Sequence, residues 1–404
     1  MNKPELLAPA GSLSKLKYAI EYGADAVYVG GESFSLREAA ENFTLSELKE
    51  GIEFAHERGK KVYITANIIP HNRDLKAFET YIREVADMGA DAAIISDLGL
   101  FDIARRAAPD LDIHISTQAN NVNYASANAW YKLGAKRIIV ARELSVEEIA
   151  EIRKNIPPDL EIECFVHGAM CISYSGRCLL SNYMTGRDSN QGACAHPCRW
   201  KYYLMEEKRP GEYMPVFENE RGTFIYNSKD LCMIRHLKEL CEAGVSSLKI
   251  EGRVKTEYYV ATVTKAYRDA LSDVFENKPF NEENYKELEK VSHREYTTGF
   301  FFGRPGGSEQ LYTTSSYKRL YDLVGTVIKY DEAEQMLYVQ QRNKFSIGDT
   351  IEILKPKGHF ETFTVEKMFN EKGEEINSCP HAMMMIKIPC SISCPPDSIL
   401  RKEK

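Results

Sequence analysis

The octapeptide Gly23-Ala-Asp-Ala-Val-Tyr-Val-Gly30 decides the fold, because the chain reuses its plan. Gly89-Ala-Asp-Ala-Ala-Ile-Ile-Ser96 is a near copy, and Gly134-Ala-Lys-Arg137 and Gly244-Val-Ser-Ser247 open two further versions. Each phrase follows an amphipathic stretch and precedes a short apolar run. Glycine suits the position just past a helix, where positive φ is favoured. The apolar run suits a strand buried on both faces. Working outward gives eight strands, at 5–8, 26–29, 61–66, 92–96, 112–116, 137–140, 161–166 and 247–250. Helical patterns separate them, among them 45–58 behind a Thr44 N-cap, 75–88, and 146–154 behind Ser145 with Glu147 and Glu148 in its first turn. Eight βα units in series predict an α/β chain folded as a (β/α)8 TIM-type barrel. A doubly wound sheet is the competing arrangement, and the lack of a dinucleotide glycine motif favours the barrel.

A chain of 404 residues accommodates one large domain and a smaller one. The net charge of -7 argues against coating nucleic acid by charge alone, though a local basic patch is compatible with it. The first residues lack the apolar core of a signal peptide, and no run reaches membrane-spanning length. The expectation is a cytoplasmic protein with no membrane partner, whose ten cysteines are reduced or metal-bound.

About eighty residues separate the seventh predicted strand from the eighth, where a βαβ unit needs about thirty. This insertion, 167–246, holds Cys171, Cys178, Cys194 and Cys232, with Cys198 as a rival for the third place. A hairpin joining 201–206 to 223–226 is expected within it. Clustered thiols in a reducing compartment more often bind metal or do chemistry than remain ordinary buried residues. Soft thiolates select zinc, copper(I) or iron–sulfur clusters. Six, fifteen and thirty-seven residues intervene between the four, which is not the paired-knuckle pattern of structural zinc. Between Cys171 and Lys201 lie Arg177, Arg187 and Arg199, with Lys201 itself, against the single acid Asp188. Tyr174, Tyr183, Trp200, Tyr202 and Tyr203 are interleaved with them. Cations beside thiolates offset their charge, and aromatics can stack bases. A solvated loop over core aromatics is the bland alternative.

Loops at the C-terminal ends of barrel strands build active sites. Polar residues stand at these ends: Asn67, Asp97, Gln118 after Ser116 and Thr117, Arg142 with Glu143, His167, and Glu251-Gly252-Arg253. His167, Glu251 and Arg253 are the expected catalytic groups. Asn67, Gln118, Arg142 and Arg177 are the expected substrate-binding groups. Any one of them could be a simple loop cap, and Glu251 and Arg253 could pair with each other. The chain has no Gly-x-Ser-x-Gly, His-Glu-x-x-His, Walker or Gly-x-Gly-x-x-Gly motif, so conventional serine or zinc proteolysis has no support.

The barrel is expected to occupy 1–296 and to be followed by a linker, 297–322. From 323 to 404 the pattern changes to period-two alternation, at 325–330, 335–340, 349–354 and 362–367, which predicts a small C-terminal antiparallel β-barrel domain.

Glu163-Cys-Phe-Val-His-Gly-Ala-Met-Cys171, followed by Ser175-Gly-Arg-Cys178-Leu-Leu-Ser181, resembles the signature of the U32 peptidase family. Leu7-Ala-Pro-Ala-Gly11, Ser116-Thr-Gln-Ala-Asn120 and Lys249-Ile-Glu-Gly-Arg253 extend the resemblance over most of the barrel. The family takes its name from collagenase-like activity. Other branches hydroxylate RNA bases, forming 5-hydroxyuridine at the tRNA wobble position or 5-hydroxycytidine in ribosomal RNA. The resemblance implies a [4Fe-4S] cluster held by Cys171, Cys178, Cys194 and Cys232. It also implies a tRNA or rRNA substrate, a small anionic hydroxyl donor such as prephenate, and in some branches a second U32 protein as partner. The expected function is hydroxylation of the tRNA wobble uridine. A peptidase, or a non-catalytic partner of a second family member, is the alternative.

Overall fold

The computed structural model describes residues 2–36, 42–171, 173–200, 229–303 and 318–404, with the backbone alone of four two-residue strands between 204 and 223. Strands β1 (Glu5–Pro9), β2 (Ala26–Gly30), β3 (Lys61–Ala66), β4 (Ala92–Ile95), β5 (Asp112–Ile115), β6 (Arg137–Ile139) and β7 (Glu161–Ala169) pair in parallel, in sequence order. A short strand β8 (Asp230–Cys232) follows, then β9 (Ser247–Ile250), which pairs in parallel with both β7 and β1 and closes the barrel. The eight predicted strands are therefore β1 to β7 and β9. All four glycines of the repeated phrase have positive φ, from +83° at Gly244 to +111° at Gly23.

The helices between strands start where the sequence supplies a cap. Thr44 and Glu47 form a reciprocal capping box on α2 (Leu45–His56), and Ser145 and Glu148 form another on α6 (Val146–Lys154). The longest helix among the described residues, α9 (Glu257–Phe275), follows β9 and is capped by Thr256. Its Tyr258, Tyr259, Val263 and Tyr267 are buried against the barrel.

Charge as well as hydrocarbon fills the barrel. Arg137 reaches Glu5 at 2.7 Å and the fully buried Glu163 at 3.0 Å, while Lys249 Nζ meets the other Glu163 oxygen at 2.8 Å. Tyr63 donates to Glu5, and the His114 ring lies edge-on against Tyr63. Arg137, Glu163 and Lys249 thus each have an opposite partner, which low dielectric demands.

β8 runs antiparallel to β7 and sets Cys232 opposite His167. The expected hairpin of the insertion is paired differently: Leu204–Met205 joins Tyr213–Met214 rather than 223–226. Side chains from 201 to 228 lie outside the described residues, as does that of Arg199. The first part of the expected linker is part of the barrel. Tyr296–Thr297 pairs with β8, Phe301 is buried, and its carbonyl accepts from Val146 N. Residues 304–317 of that linker lie outside the described residues.

The C-terminal domain is one seven-stranded antiparallel sheet. Its order runs Glu361–Thr364, Thr350–Leu354, Ile399–Glu403, Tyr321–Asp331, Met336–Gln341, Met385–Pro389, Phe369–Asn370. The two edge strands are neighbours in sequence, joined by four residues. Laid flat, the edges would stand about 28 Å apart, and so short a connection reaches only about 17 Å. The sheet therefore rolls into a half-barrel, and among the described residues no ladder closes its seam. The domain is fixed to the barrel at several points. Tyr22 OH donates to the Leu354 and Asp397 carbonyls, and Arg401, with no exposed side-chain surface, joins Glu287 of α10 (Glu282–Glu289) to Glu352. Among the described residues no helix is long and apolar enough to cross a membrane.

Candidate functional site

Residues 173–200 lie as a lid over the C-terminal ends of the barrel strands, held by contacts with three loops. Ser175 donates from its backbone and its hydroxyl to the two carboxylate oxygens of Glu143, at 2.6 and 2.7 Å. Arg177 Nε donates to the Gln118 carbonyl at 2.7 Å, and Asn120 Nδ2 to the Tyr174 carbonyl at 3.3 Å. Ile69 N donates to the Asn190 carbonyl at 3.0 Å, and Gln191 to the Ile69 carbonyl. Leu179 and Tyr183 on the lid are 74% and 86% exposed, and Tyr174, Met184 and Trp200 are also exposed. Large apolar side chains turned to water in one short segment mark a contact surface.

Beneath the lid, charge is stacked on aromatic rings. Arg142 NH1 donates to the Ala169 carbonyl at 2.7 Å, and its guanidinium lies 3.8 Å from the centre of the Phe165 ring. Glu251 stands 3.9 Å from Arg142 and accepts from Tyr28 OH at 3.4 Å. Lys249 Nζ is 4.3 Å from the Tyr28 ring centre, and burial pulls its ammonium below the usual lysine range while Glu163 opposes the shift. Arg253 NH1 donates to Ser35 Oγ at 2.7 Å and Thr65 Oγ1 at 2.9 Å. Gly30 makes room for this: a Cβ there would stand 2.1 Å from Arg253 NH1. Gly168 has φ of +107°, and a Cβ on it would stand 2.7 Å from the Glu251 carbonyl oxygen. Glycine at 168 therefore lets the chain cross Glu251 on its way to Cys171. Asn67 accepts from Leu36 N at 3.4 Å and lies 3.5 Å from Ser116 Oγ.

The mouth therefore gathers Glu251, Arg253, Arg142, Gln118 and Asn67 at the strand ends, with Arg177 reaching the Gln118 carbonyl from the lid. Glu251 has the Arg142 guanidinium near it, where the sequence suggested Arg253. His167 is elsewhere. It is 1% exposed, ringed by Tyr259, Tyr267 and Tyr296, with Nδ1 3.3 Å from Tyr267 OH. Burial, then the positive surroundings of His293 and Lys255, lowers its pKa to about 3. The cause is a register shift between β9 and β7 beside Lys249 and Ile250, which moves the strand end off strict alternation. His167 faces α9 as a neutral packing group. Sequence reading missed Phe165, Tyr28 and Lys249, which looked like strand core. The inward alternation of Glu163 and Phe165 along β7 was the available signal.

Among the described residues no disulfide joins the cysteines. Cys178 and Cys194 already accept N–H bonds, from Leu180 at 3.3 Å and His196 at 3.4 Å, as sulfurs of a cluster do. Their loops are tied together by Ala195 N donating to Ser181 Oγ at 3.0 Å and Ser189 Oγ donating to the Cys178 carbonyl at 2.6 Å. Cys171 is exposed. Cys232 is buried 3.8 Å from Tyr267 OH, and burial pushes its thiol up to about 11, so a metal would have to displace that proton. Among the described residues no three His, Cys, Asp or Glu side chains converge to hold a metal ion. The donor set fits an iron–sulfur cluster in kind, and the described arrangement does not bring all four thiols to one point.

The sequence model of peptidase family U32 matches residues 11–311, and that of the U32 C-terminal domain matches 319–401. A tRNA hydroxylation protein P1 of Bacillus subtilis is 42% identical over 405 residues, covering 100% of this chain and 95% of the relative. A tRNA hydroxylation protein P of Escherichia coli is 43% identical, covering 94% of this chain and 92% of the relative. A 23S rRNA 5-hydroxycytidine C2501 synthase of Escherichia coli is 33% identical, covering 90% of this chain and 54% of the relative.

Proposed function

The chain belongs to peptidase family U32, and from that membership we propose that it is an RNA-modifying enzyme that hydroxylates a base of tRNA, the wobble uridine first among candidates. Near-full-length similarity to tRNA hydroxylation proteins supports the class of reaction. The observation that carries the reading to this chain's own residues is the lid: exposed aromatics and arginines lie over a mouth lined with guanidinium groups. Chemistry on a ring carbon requires an unstacked base, and such a rim offers faces on which an extruded base and its neighbours stack.

Arg177 and Arg187 are placed to receive phosphates at the rim. Arg142, fixed by the Ala169 carbonyl and the Phe165 ring, orients an anionic co-substrate or the base edge. Arg253, locked by Ser35 and Thr65, extends the cationic side of the mouth. Glu251, accepting from Tyr28, is the carboxylate able to take a proton at the reacting ring. Over a bound base the lid would exclude water from the mouth. A small anionic hydroxyl donor such as prephenate suits the guanidinium pair.

Cys171, Cys178, Cys194 and Cys232 would hold a [4Fe-4S] cluster. When bound, the cluster would supply electron transfer. A second U32 protein as partner is compatible with the exposed apolar rim.

Purified without oxygen, the full chain is expected to bind a tRNA transcript and to leave gelatin uncut. Gelatin cleavage that is lost in an Arg142→Ala variant would transfer the mouth to the peptidase reading.

A further inference from the structure

We propose that the outer face of the C-terminal half-barrel is a second RNA-contact surface, a stacking platform for a single-stranded stretch of the substrate. The inference rests on the RNA reading above and adds a site remote from the chemistry. Strand register carries it. Lys329 stands opposite Tyr338, Tyr338 opposite Lys387, and Lys387 opposite Phe369. Residues directly opposite in an antiparallel ladder share a face. Four adjacent strands thus present an unbroken row of lysine, tyrosine, lysine and phenylalanine.

The row is turned outward. Its strand neighbours Leu337, Val339, Ile386 and Ile388 are fully or almost fully buried in the domain core. Lys329 is exposed, and Tyr338, Lys387 and Phe369 are partly exposed. Met336, Gln340 and Met385, also partly exposed, extend the same face along the strands. Both ammonium groups lie over the Tyr338 ring, Lys329 at 4.1 Å and Lys387 at 5.4 Å from its centre. In the free protein the lysines therefore hold the ring face that a base would take. On binding they exchange that face for phosphates, and the base stacks where they were.

Three acids border the row, Glu375 standing opposite Phe369 in an isolated antiparallel bridge. Glu334 lies 3.5 Å from Tyr338 OH, and Asp331 is engaged in accepting the N–H groups of Ala333 and Glu334 in the turn. Residues 318–404 carry equal numbers of acidic and basic side chains, so this domain bears none of the chain's net charge of -7. Recognition here is by local cations interleaved with rings, which suits single-stranded RNA better than a duplex.

Cross-strand lysine–aromatic pairs also stabilise sheets, so the test must separate the two roles. The probe is a fluorescent, unmodified tRNA transcript titrated with the full chain over a salt series. A Lys329→Gln/Lys387→Gln double variant is expected to bind about tenfold more weakly, with a log–log salt slope shallower by about 1.4. Tyr338→Thr is expected to weaken binding with the slope unchanged. Lys357→Gln, a control outside the row, is expected to keep both. A double variant that melts earlier yet retains wild-type affinity and slope overturns the platform and leaves the RNA reading standing. A wild-type chain that fails to bind the transcript at any salt overturns both.

Discussion

Arg177 Nε and the Gln118 carbonyl oxygen meet at 2.7 Å, and this bond ties the cysteine-bearing lid to the loop after β5. A charged donor on a neutral acceptor contributes about 1.5–3 kcal/mol. Arg177→Ala is therefore expected to loosen residues 173–200 and to lower hydroxylation at least tenfold. Hydrogen exchange of the lid amides, faster in the variant while barrel amides keep their protection, checks the cause.

The approach of Arg253 to β2 makes Gly30 irreplaceable. Gly30→Ala would put a methyl 2.1 Å from Arg253 NH1 and 2.4 Å from Ser35 Oγ. The clash must expel Arg253 from its two hydroxyl acceptors. Overpacking of this kind costs about 1–3 kcal/mol, to be read from denaturant midpoints. Activity is expected to fall further than stability alone accounts for.

Buried histidines, His167 and His114 among them, bear on the acid limb of stability. His167 titrates near 3 in the folded chain, and burial likewise holds His114 well below the ordinary histidine range. In the unfolded chain both titrate near ~6.5. Between these values the unfolded state binds more protons, so stability falls as pH drops below ~6.5. Each group contributes a slope of up to about 1.4 kcal/mol per pH unit. Replacing His167 by Phe should flatten the curve of unfolding free energy against pH between ~6 and ~4.

Glu287 adds a second acid-sensitive contribution. Burial would raise its carboxyl, but Arg401 and Lys290 more than offset that and hold it below the usual range. The stability it confers is present above the unfolded value of ~4.3 and is lost as pH falls through the folded one. Arg401→Met leaves Glu287 and Glu352 to share the Lys290 ammonium, 2.8 Å from each, and is expected to cost about 3 kcal/mol at neutral pH. The loss should shrink in acid, where protonation relieves the repulsion between the two carboxylates.

The cysteine assignment has its own check. Anaerobic protein is expected to carry about four irons and four sulfides per chain. Serine at Cys171, Cys178, Cys194 or Cys232 should remove them, and serine at Cys198 should not. Iron retained in the Cys194→Ser variant and lost in Cys198→Ser would exchange the two.

The barrel was legible because its signal is local and repeated: a glycine past each helix, then an apolar run. The mouth was legible because topology alone puts strand ends together, and Arg142 and Glu251 sit there; Arg177 comes to it from the lid, where the cationic run around the cysteines marked it. His167 was not, since a single register shift turned it to the helix layer, and period-two counting carries no warning of that. Tyr28, Phe165 and Lys249 were hidden by their own apolar neighbours. The half-barrel was read from alternation, while its open seam depends on which edges meet, which sequence spacing does not encode.

The most direct test of the account is nucleoside mass spectrometry of tRNA from a strain lacking this gene, with and without the wild-type chain restored. The account requires 5-hydroxyuridine and its derivatives to disappear on deletion, to return with the wild-type chain, and to stay absent with Cys178→Ser or Arg142→Ala. Unchanged hydroxylated uridine in the deletion strain, with no second family member present to supply it, would contradict the central claim.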